Sequence, residues 1–388
     1  EGQSKQSVIV EVLSGMETLK TLRGISILRD RWIDSVDRQG ITVAKSKFWS
    51  QLTANFAQSG QQLSQVGIVV YGVFLIADGT LTMGSLIACV ILSGRTLAPL
   101  GQVSNLLGRY NQATTAYVNF GQLMQQPVKE LSRSHQVRVD KVEGSISIVN
   151  ASLTYPDQKE AVIKQLNLQL YAGEKIAIVG KIGSGKTSIL RIIAGLYDST
   201  EGSVKIDKSD ITHMHPDDIR KHVSVVMQTP MLFSGTLKEN LLMGNPHATD
   251  DQMLEAAKIA NVDEIASNLP NGYETVLSEG GKQLSGGQRQ AICIARAFVG
   301  DPKIVIMDEP SSAMDNASEQ QLLIDLKEKL VDKTLILITH RGTLLSLVDR
   351  VVVFDSGRIV ADGPKDKVLQ AASQKPQKQQ LQKPQEQG

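Results

Sequence analysis

The sequence predicts two units of different class: an N-terminal all-α unit that enters a membrane, and a C-terminal α/β unit with a mainly parallel sheet. Three observations predict this. From Phe48 to Val128 the only charged residues are Asp78, Arg95 and Arg109. From Gly144 onward, short β-branched runs alternate with helical patterns, which argues for a parallel sheet covered by helices. Within that region the strand-like "KIAIV", Lys175 to Val179, runs into "GKIGSGKT", a phosphate-binding loop in its required strand–loop–helix setting. The fold class is therefore an α/β P-loop nucleotide-binding domain with an N-terminal all-α transmembrane domain.

The membrane reading rests on sustained lack of charge. The apolar stretches "VGIVVYGVFLIA", Val66 to Ala77, and "MGSLIACVILSG", Met83 to Gly94, each fall short of a run of ~20 apolar residues. Buried helices of a soluble protein are the competing reading. The uncharged run 48–77 is long enough to span a bilayer, and its Gln, Asn and Ser would face neighbouring helices or an aqueous path. Spans at about 50–77 and 80–108, the second with a cytoplasmic extension, would be joined by a turn at Asp78-Gly79. Lys45, Lys47, Arg109 and Lys129 would then lie on one side, the cytoplasmic one. Arg95 either lines a path through the membrane or snorkels to the interface.

Residues 1–47 read as charged, amphipathic helix interrupted at Gly15 and Gly24. Such a helix touches another domain or is simply solvated. The membrane-associated unit closes at 126. Residues 127–143 are polar and read as a linker, and the α/β domain is expected over 144–372. The Gln/Lys/Pro-rich tail 373–388 cannot bury apolar surface and is expected to be disordered. Among 388 residues, 41 basic groups face 40 acidic ones, which does not point to nucleic acid as a partner. The two cysteines, Cys89 and Cys293, make no disulfide framework and read as small buried hydrophobes. His213 and His215 lack a second ligand pair and read as loop residues; Met231 and Met243 read as packing. No secretory signal is visible, and the chain does not begin with Met.

The chemistry is carried by strand ends. In the phosphate loop Gly180, Gly183 and Gly185, with Ser184, let backbone N–H groups curl around phosphate oxygens, helped by the helix N-terminus. Lys186 would neutralise β- and γ-phosphate charge, and Thr187, followed by Ser188, would offer a hydroxyl to Mg2+. In "KIVIMDEP" four apolar residues, Ile304 to Met307, suit a strand buried on both faces. Asp308 and Glu309 emerge at its carboxyl end, where ligands sit in such sheets. Asp308 would hold Mg2+ through water, and Glu309 would act as general base on the attacking water. "TLILITH" places His340 at another strand end, in reach of the γ-phosphate.

These motifs resemble those of ABC transporters of the exporter type. "LSGGQ", Leu284-Ser285-Gly286-Gly287-Gln288, resembles the family signature. "VVMQTPMLFSGTLKEN" resembles its Q-loop, with Gln228 in the catalytic and metal-facing position. "SSAMD" resembles its D-loop, including Ser312 and Asp315. Tyr155 in "LTYP" matches the aromatic that stacks on adenine. The resemblance covers roughly 1–370. It implies an ATPase with ATP and Mg2+, working as a pair of identical or homologous subunits.

The resemblance also explains a second glycine turn without a lysine. In this family two nucleotide domains meet head to tail, so the signature of one subunit completes the phosphate loop of the other. Ser285 as helix N-cap, the Gly287 amide and the helix dipole would then meet the γ-phosphate. "VLSGMETLKTLRG" resembles the segment with the second coupling helix, and "IADGTLTMGSLIACVILSGRTLAPLGQVSNLLGRY" resembles the last two membrane helices of type I secretion ATPases. That implies a multi-pass protein of the bacterial inner membrane, its nucleotide domain in the cytoplasm. Its partners would be a periplasmic adaptor, an outer-membrane channel and a polypeptide substrate. An exporter half has six membrane helices, so the chain reads as a C-terminal part with a partial transmembrane domain. A lipid, drug or small-peptide exporter is the alternative; a soluble ABC ATPase is more remote.

Overall fold

The computed structural model describes residues 2–125, 137–156 and 158–371. The tail 373–388 and most of the expected linker lie outside the described residues. The chain divides into two compact units, 1–126 and 127–388.

The first unit is helical: α1 (Gly2–Ser14), α2 (Met16–Thr21), α3 (Ile25–Ala77) and α4 (Met83–Met124). The breaks fall at Gly15 and near Gly24, where glycine weakens the helix. α3 runs for 53 residues without a proline, so charged and uncharged parts form one rod about 80 Å long. The expected boundary near residue 48 is thus a change of composition, not of backbone. Gly79 takes a left-handed φ of +70° in the turn at Asp78-Gly79. The Thr82 hydroxyl then caps α4 by accepting from the Ser85 N–H at 3.3 Å. The two helices pack closely where Gly72 meets Leu86; a Cβ on Gly72 would lie 2.3 Å from Leu86 Cδ1.

Among the described residues one helix segment, Gln58–Ala77, is long and apolar enough to cross a membrane, with a mean hydropathy of 1.3. The apolar part of α4, Met83–Thr96, is shorter. Only 6% of the Gln58–Ala77 window is buried, with Val66, Tyr71 and Phe74 exposed. A core helix of a soluble protein would hide such residues; this one presents them outward, as a lipid-facing helix does. Cys89 is exposed on α4, contrary to the buried reading, as are its α4 neighbours Ile87, Ile91 and Leu92.

The second unit contains β1 (Ile146–Leu153), β2 (Ile163–Leu170), β3 (Lys175–Val179), α5 (Lys186–Ile193), β4 (Glu201–Ile206) and β5 (Ser209–Asp210). These are followed by α6 (Pro216–His222), β6 (Val223–Val226), β7 (Gly235–Thr236), α7 (Leu237–Leu242), α8 (Asp250–Ala257), α9 (Val262–Ser267) and β8 (Val276–Leu277). The unit ends with α10 (Gly286–Phe298), β9 (Ile304–Asp308), α11 (Asn316–Lys329), β10 (Thr334–Ile338), β11 (Arg350–Asp355) and β12 (Arg358–Pro364). A six-stranded sheet has the order β12-β11-β3-β10-β9-β6, parallel except for edge strand β12. A four-stranded antiparallel sheet, β2-β1-β4-β5, lies beside it.

Strand alternation builds two cores. Ile304, Ile306, Ile336 and Ile338 face one side with Ile176, Ile178, the antiparallel sheet and α5. Val305, Met307, Leu335 and Leu337 face the other with α7, α8, α10 and α11. The central strands are buried on both faces, as their unbroken apolar runs require.

Residues 137–143, expected within the linker, belong to this unit. Val137 bridges to Met214, Arg138 pairs with Asp218 at 3.1 Å, and Val142 is buried. The polar composition misled because the polar groups bind one another: Asp207 accepts from the N–H groups of Glu143, Gly144 and Ser145.

Candidate nucleotide site

Because β3, β6, β9 and β10 are parallel, their carboxyl ends share one sheet edge. That edge brings together the loop 180–187, Gln228, Asp308-Glu309 and His340. A Cβ on Gly180 would stand 2.0 Å from the Phe354 carbonyl oxygen, so only glycine fits. Gly185 takes a φ of +102° as the N-cap of α5. Lys186 Nζ donates to the carbonyls of Gly180 and Lys181 at 2.7 and 2.8 Å, which folds the ammonium into the loop. Burial pulls its pKa down, opposed by the charges of Asp308 and Glu309. Ser184 Oγ is buried without a partner.

The Thr187 hydroxyl donates to Asp308 Oδ2 at 2.7 Å. Hydroxyl and carboxylate oxygens are the donors Mg2+ takes, so Thr187 and Asp308 fit such an ion. Gln228, two residues beyond the end of β6, is exposed. Burial pushes the Asp308 carboxyl above the usual range, against its Thr187 hydrogen bond and the Lys186 charge.

Glu309 has a left-handed φ of +49°, rare for a residue with a side chain, held by its N–H bond to Ile338 O at 2.9 Å. Its Oε1 is buried without a hydrogen-bond partner and lies 3.7 Å from His340 Nε2. Burial raises the Glu309 pKa, while the nearby His340 charge lowers it. A carboxylate so placed is poised to accept a proton. Sequence reasoning missed Thr339, which donates from Oγ1 to Glu309 Oε2 at 3.5 Å. Its position directly before His340 was the available signal.

Tyr155 packs edge-on against Tyr197 with centroids 4.9 Å apart. Its hydroxyl bonds Ser188 Oγ at 2.9 Å and accepts from Arg191 Nη1 at 3.0 Å. Ser188 thus orients the aromatic ring from inside α5, a role its place beside Thr187 did not disclose.

The signature residues form a second place. Ser285 caps α10 by accepting from the Gln288 N–H at 3.1 Å, and Gln288 Oε1 accepts from the Ser285 N–H at 2.9 Å. Leu284 is buried in the core. Gly286 and Gly287 run against Ala313, where a Cβ on Gly287 would lie 3.0 Å from its carbonyl oxygen. Ser285 to Gln288 line a cavity of about 340 Å³ together with Met314, Asp315 and Ser318. Asp315 caps α11 by accepting from the Ser318 N–H at 2.7 Å, and Ser312 N–H donates to Glu309 O at 3.1 Å. Met231 and Met243 are exposed, not packed. His215 Nδ1 accepts from the Asp217 N–H at the start of α6, and no metal-type cluster of His, Cys, Asp and Glu occurs among the described residues.

A phosphate loop, an acid pair at a neighbouring strand end and a separate capped signature helix define an ABC-type ATP-binding domain. Residues 163–312 match the family described as ABC transporter, and residues 5–100 match the ABC transporter transmembrane region. The chain belongs to the ABC transporters and has the exporter fold. It is similar to the leukotoxin translocation ATP-binding protein LktB of Pasteurella haemolytica-like sp. (strain 5943B), at 31% identity over 373 residues, covering 95% of this chain and 52% of that protein. LktB of Mannheimia haemolytica is likewise 31% identical over 369 residues, 94% of this chain and 51% of its own length. A solved structure, described as a bacterial Atm1-family ABC exporter with ATP bound, matches with a TM-score of 0.83 at 26% identity, over 95% of this chain and 65% of that one. The chain spans about half the length of the curated relatives it matches.

Proposed function

We propose that this chain is the C-terminal part of an ATP-driven exporter that moves a polypeptide across the bacterial inner membrane, as in type I secretion. The single observation that carries the ATPase reading is the Thr187–Asp308–Glu309–His340 constellation at one sheet edge. In it, Tyr155 stacks on adenine, while the 180–188 loop and Lys186 hold the phosphates. Thr187, Gln228 and, through water, Asp308 would hold Mg2+, which when bound would offset phosphate charge. Glu309 takes a proton from the water that attacks the γ-phosphorus as the bond to ADP breaks. His340 orients Glu309 and contacts the γ-phosphate.

The signature cavity supports a shared site. Its lining comes from α10, the D-loop, the start of α11, and α9 with the turn before it, and includes none of Lys186, Thr187, Asp308 or Glu309. Each ATP would therefore lie between the phosphate loop of one subunit and Ser285–Gln288 of the other, with Ser312 and Asp315 beside it. Residues 1–47 would couple the membrane helices to a nucleotide domain, spans at about 50–77 and 80–108 would form the last two of a multi-pass set, and 144–372 would be the cytoplasmic motor. A periplasmic adaptor and an outer-membrane channel complete the route.

Similarity to a leukotoxin translocation protein supports a polypeptide substrate; a lipid, drug or small-peptide exporter is the second reading. The complete gene product, reconstituted in vesicles, tests them. ATP-dependent protection of a tagged unfolded polypeptide, lost in Glu309→Gln, is the expected result. Movement of labelled lipid or drug with no polypeptide protection would reject the secretion reading.

A further inference from the structure

Glu319 is a charged side chain only 4% exposed, yet it lies on α11 outside every motif above. A buried carboxylate persists when hydrogen-bond donors satisfy it. Its donors come from the segment after β10, which carries His340. Arg341 Nη1 donates to Oε2 and Thr343 Oγ1 donates to Oε1. Ser311, in the segment that follows Glu309, further favours the ionised carboxylate. The chain of bonds continues toward the chemistry: the Arg341 N–H donates to Thr339 Oγ1 at 3.0 Å, and Thr339 Oγ1 reaches Glu309 Oε2. In the other direction, Asp315 and Ser318, in the first turn of the same helix, line the signature cavity.

We infer that Glu319 is a positioning residue for ATP hydrolysis, joining the D-loop helix to the Thr339-His340-Arg341 segment so that Glu309 and His340 hold their catalytic arrangement. The inference rests on the reading of Glu309 as base. Glu319 touches no reacting atom. Its substitution should therefore slow turnover and spare ATP binding.

The test uses the full chain in detergent, with steady-state ATP hydrolysis, nucleotide titration and thermal melting. Glu319→Gln should lower kcat about tenfold while KM and ATP affinity stay within about twofold, the pattern of lost transition-state organisation. Combining Glu319→Gln with Arg341→Gln should cost no more than the worse single change, since both break one linkage. Thr343→Val removes one bond and keeps the ion pair, and should show a smaller kcat loss at unchanged KM. This variant decides the matter if Glu319→Gln does not fold. Wild-type kcat in Thr343→Val and in any folded Glu319 variant overturns the inference, as does a parallel fall of kcat and ATP binding that tracks the folded fraction. Glu309→Gln, run alongside, separates the two claims: normal hydrolysis there defeats the base assignment itself.

Discussion

Thr187 Oγ1 donates to Asp308 Oδ2 at 2.7 Å, joining the first turn of the phosphate-loop helix to the end of a strand 121 residues later. The bond places a hydroxyl and a carboxylate where a hard cation would find both. Thr187→Val should raise the Mg2+ concentration needed for half-maximal hydrolysis by about tenfold, the scale of one lost charge-assisted interaction. A Mg2+ titration at saturating ATP checks this, and an unchanged midpoint would remove Thr187 from the metal site.

Glu309→Gln keeps the shape of the side chain and loses the proton acceptor. Hydrolysis should fall by roughly 10²–10⁴-fold with ATP affinity retained. Single-turnover hydrolysis and equilibrium binding on the same sample give the answer. Near-wild-type turnover would show that another group takes the proton.

The pH dependence has a defined sign. Burial raises the Glu309 pKa, and the His340 charge lowers it. The base works ionised, so hydrolysis should fall on the acid side at a pH above that expected for an ordinary glutamate, about 4.3. His340→Ala removes the opposing charge and should move this limb to still higher pH. For stability the sign is reversed: the folded state binds the Glu309 proton more tightly, so stability is lost as pH rises through its raised pKa. Glu309→Gln should consequently melt no lower than wild type at neutral pH, with any gain vanishing below about pH 4. An acid limb that shifts downward in His340→Ala would contradict this electrostatic coupling.

Tyr155→Ala should weaken ATP binding about tenfold, since aromatic stacking is worth on the order of 0.5–1.5 kcal/mol beyond burial. Tyr155→Phe separates ring from hydroxyl. It loses the bonds to Ser188 and Arg191 but keeps the stacking face, so its affinity should lie between the two. Titrations with ATP and with inorganic triphosphate distinguish base from phosphate effects. Equal ATP affinity in the alanine variant would take Tyr155 away from adenine.

The parts of this arrangement that were legible in the sequence are those fixed by local pattern. Continuous apolar runs gave β9 and β10, and parallel pairing then put Asp308, Glu309 and His340 on one edge. The Ser285 helix N-cap was equally local, though its return bond with Gln288 was not read from the sequence. What escaped depends on long-range partners. Arg341 and Glu319 are ordinary surface types until burial and 22 residues of separation bring them together. Residues 137–143 look like a linker because their packing partners, Met214 and Asp218, lie far along the chain. The unbroken α3 escaped because composition changes within it while helix propensity does not.

The central claim is that each ATP is shared between the phosphate loop of one subunit and the signature of the other. Mixed dimers test it most directly. Lys186→Ala in one subunit and Ser285→Arg in its partner should leave one site with both defects and one intact, and so restore hydrolysis relative to either mutant alone. Both changes in one subunit, paired with wild type, should damage both sites and leave activity low. ATP-dependent association is scored in the same samples, because coupling between sites would mute turnover from a single good one. Higher activity in the second mixture than in the first would contradict the shared site and confine each ATP to a single chain.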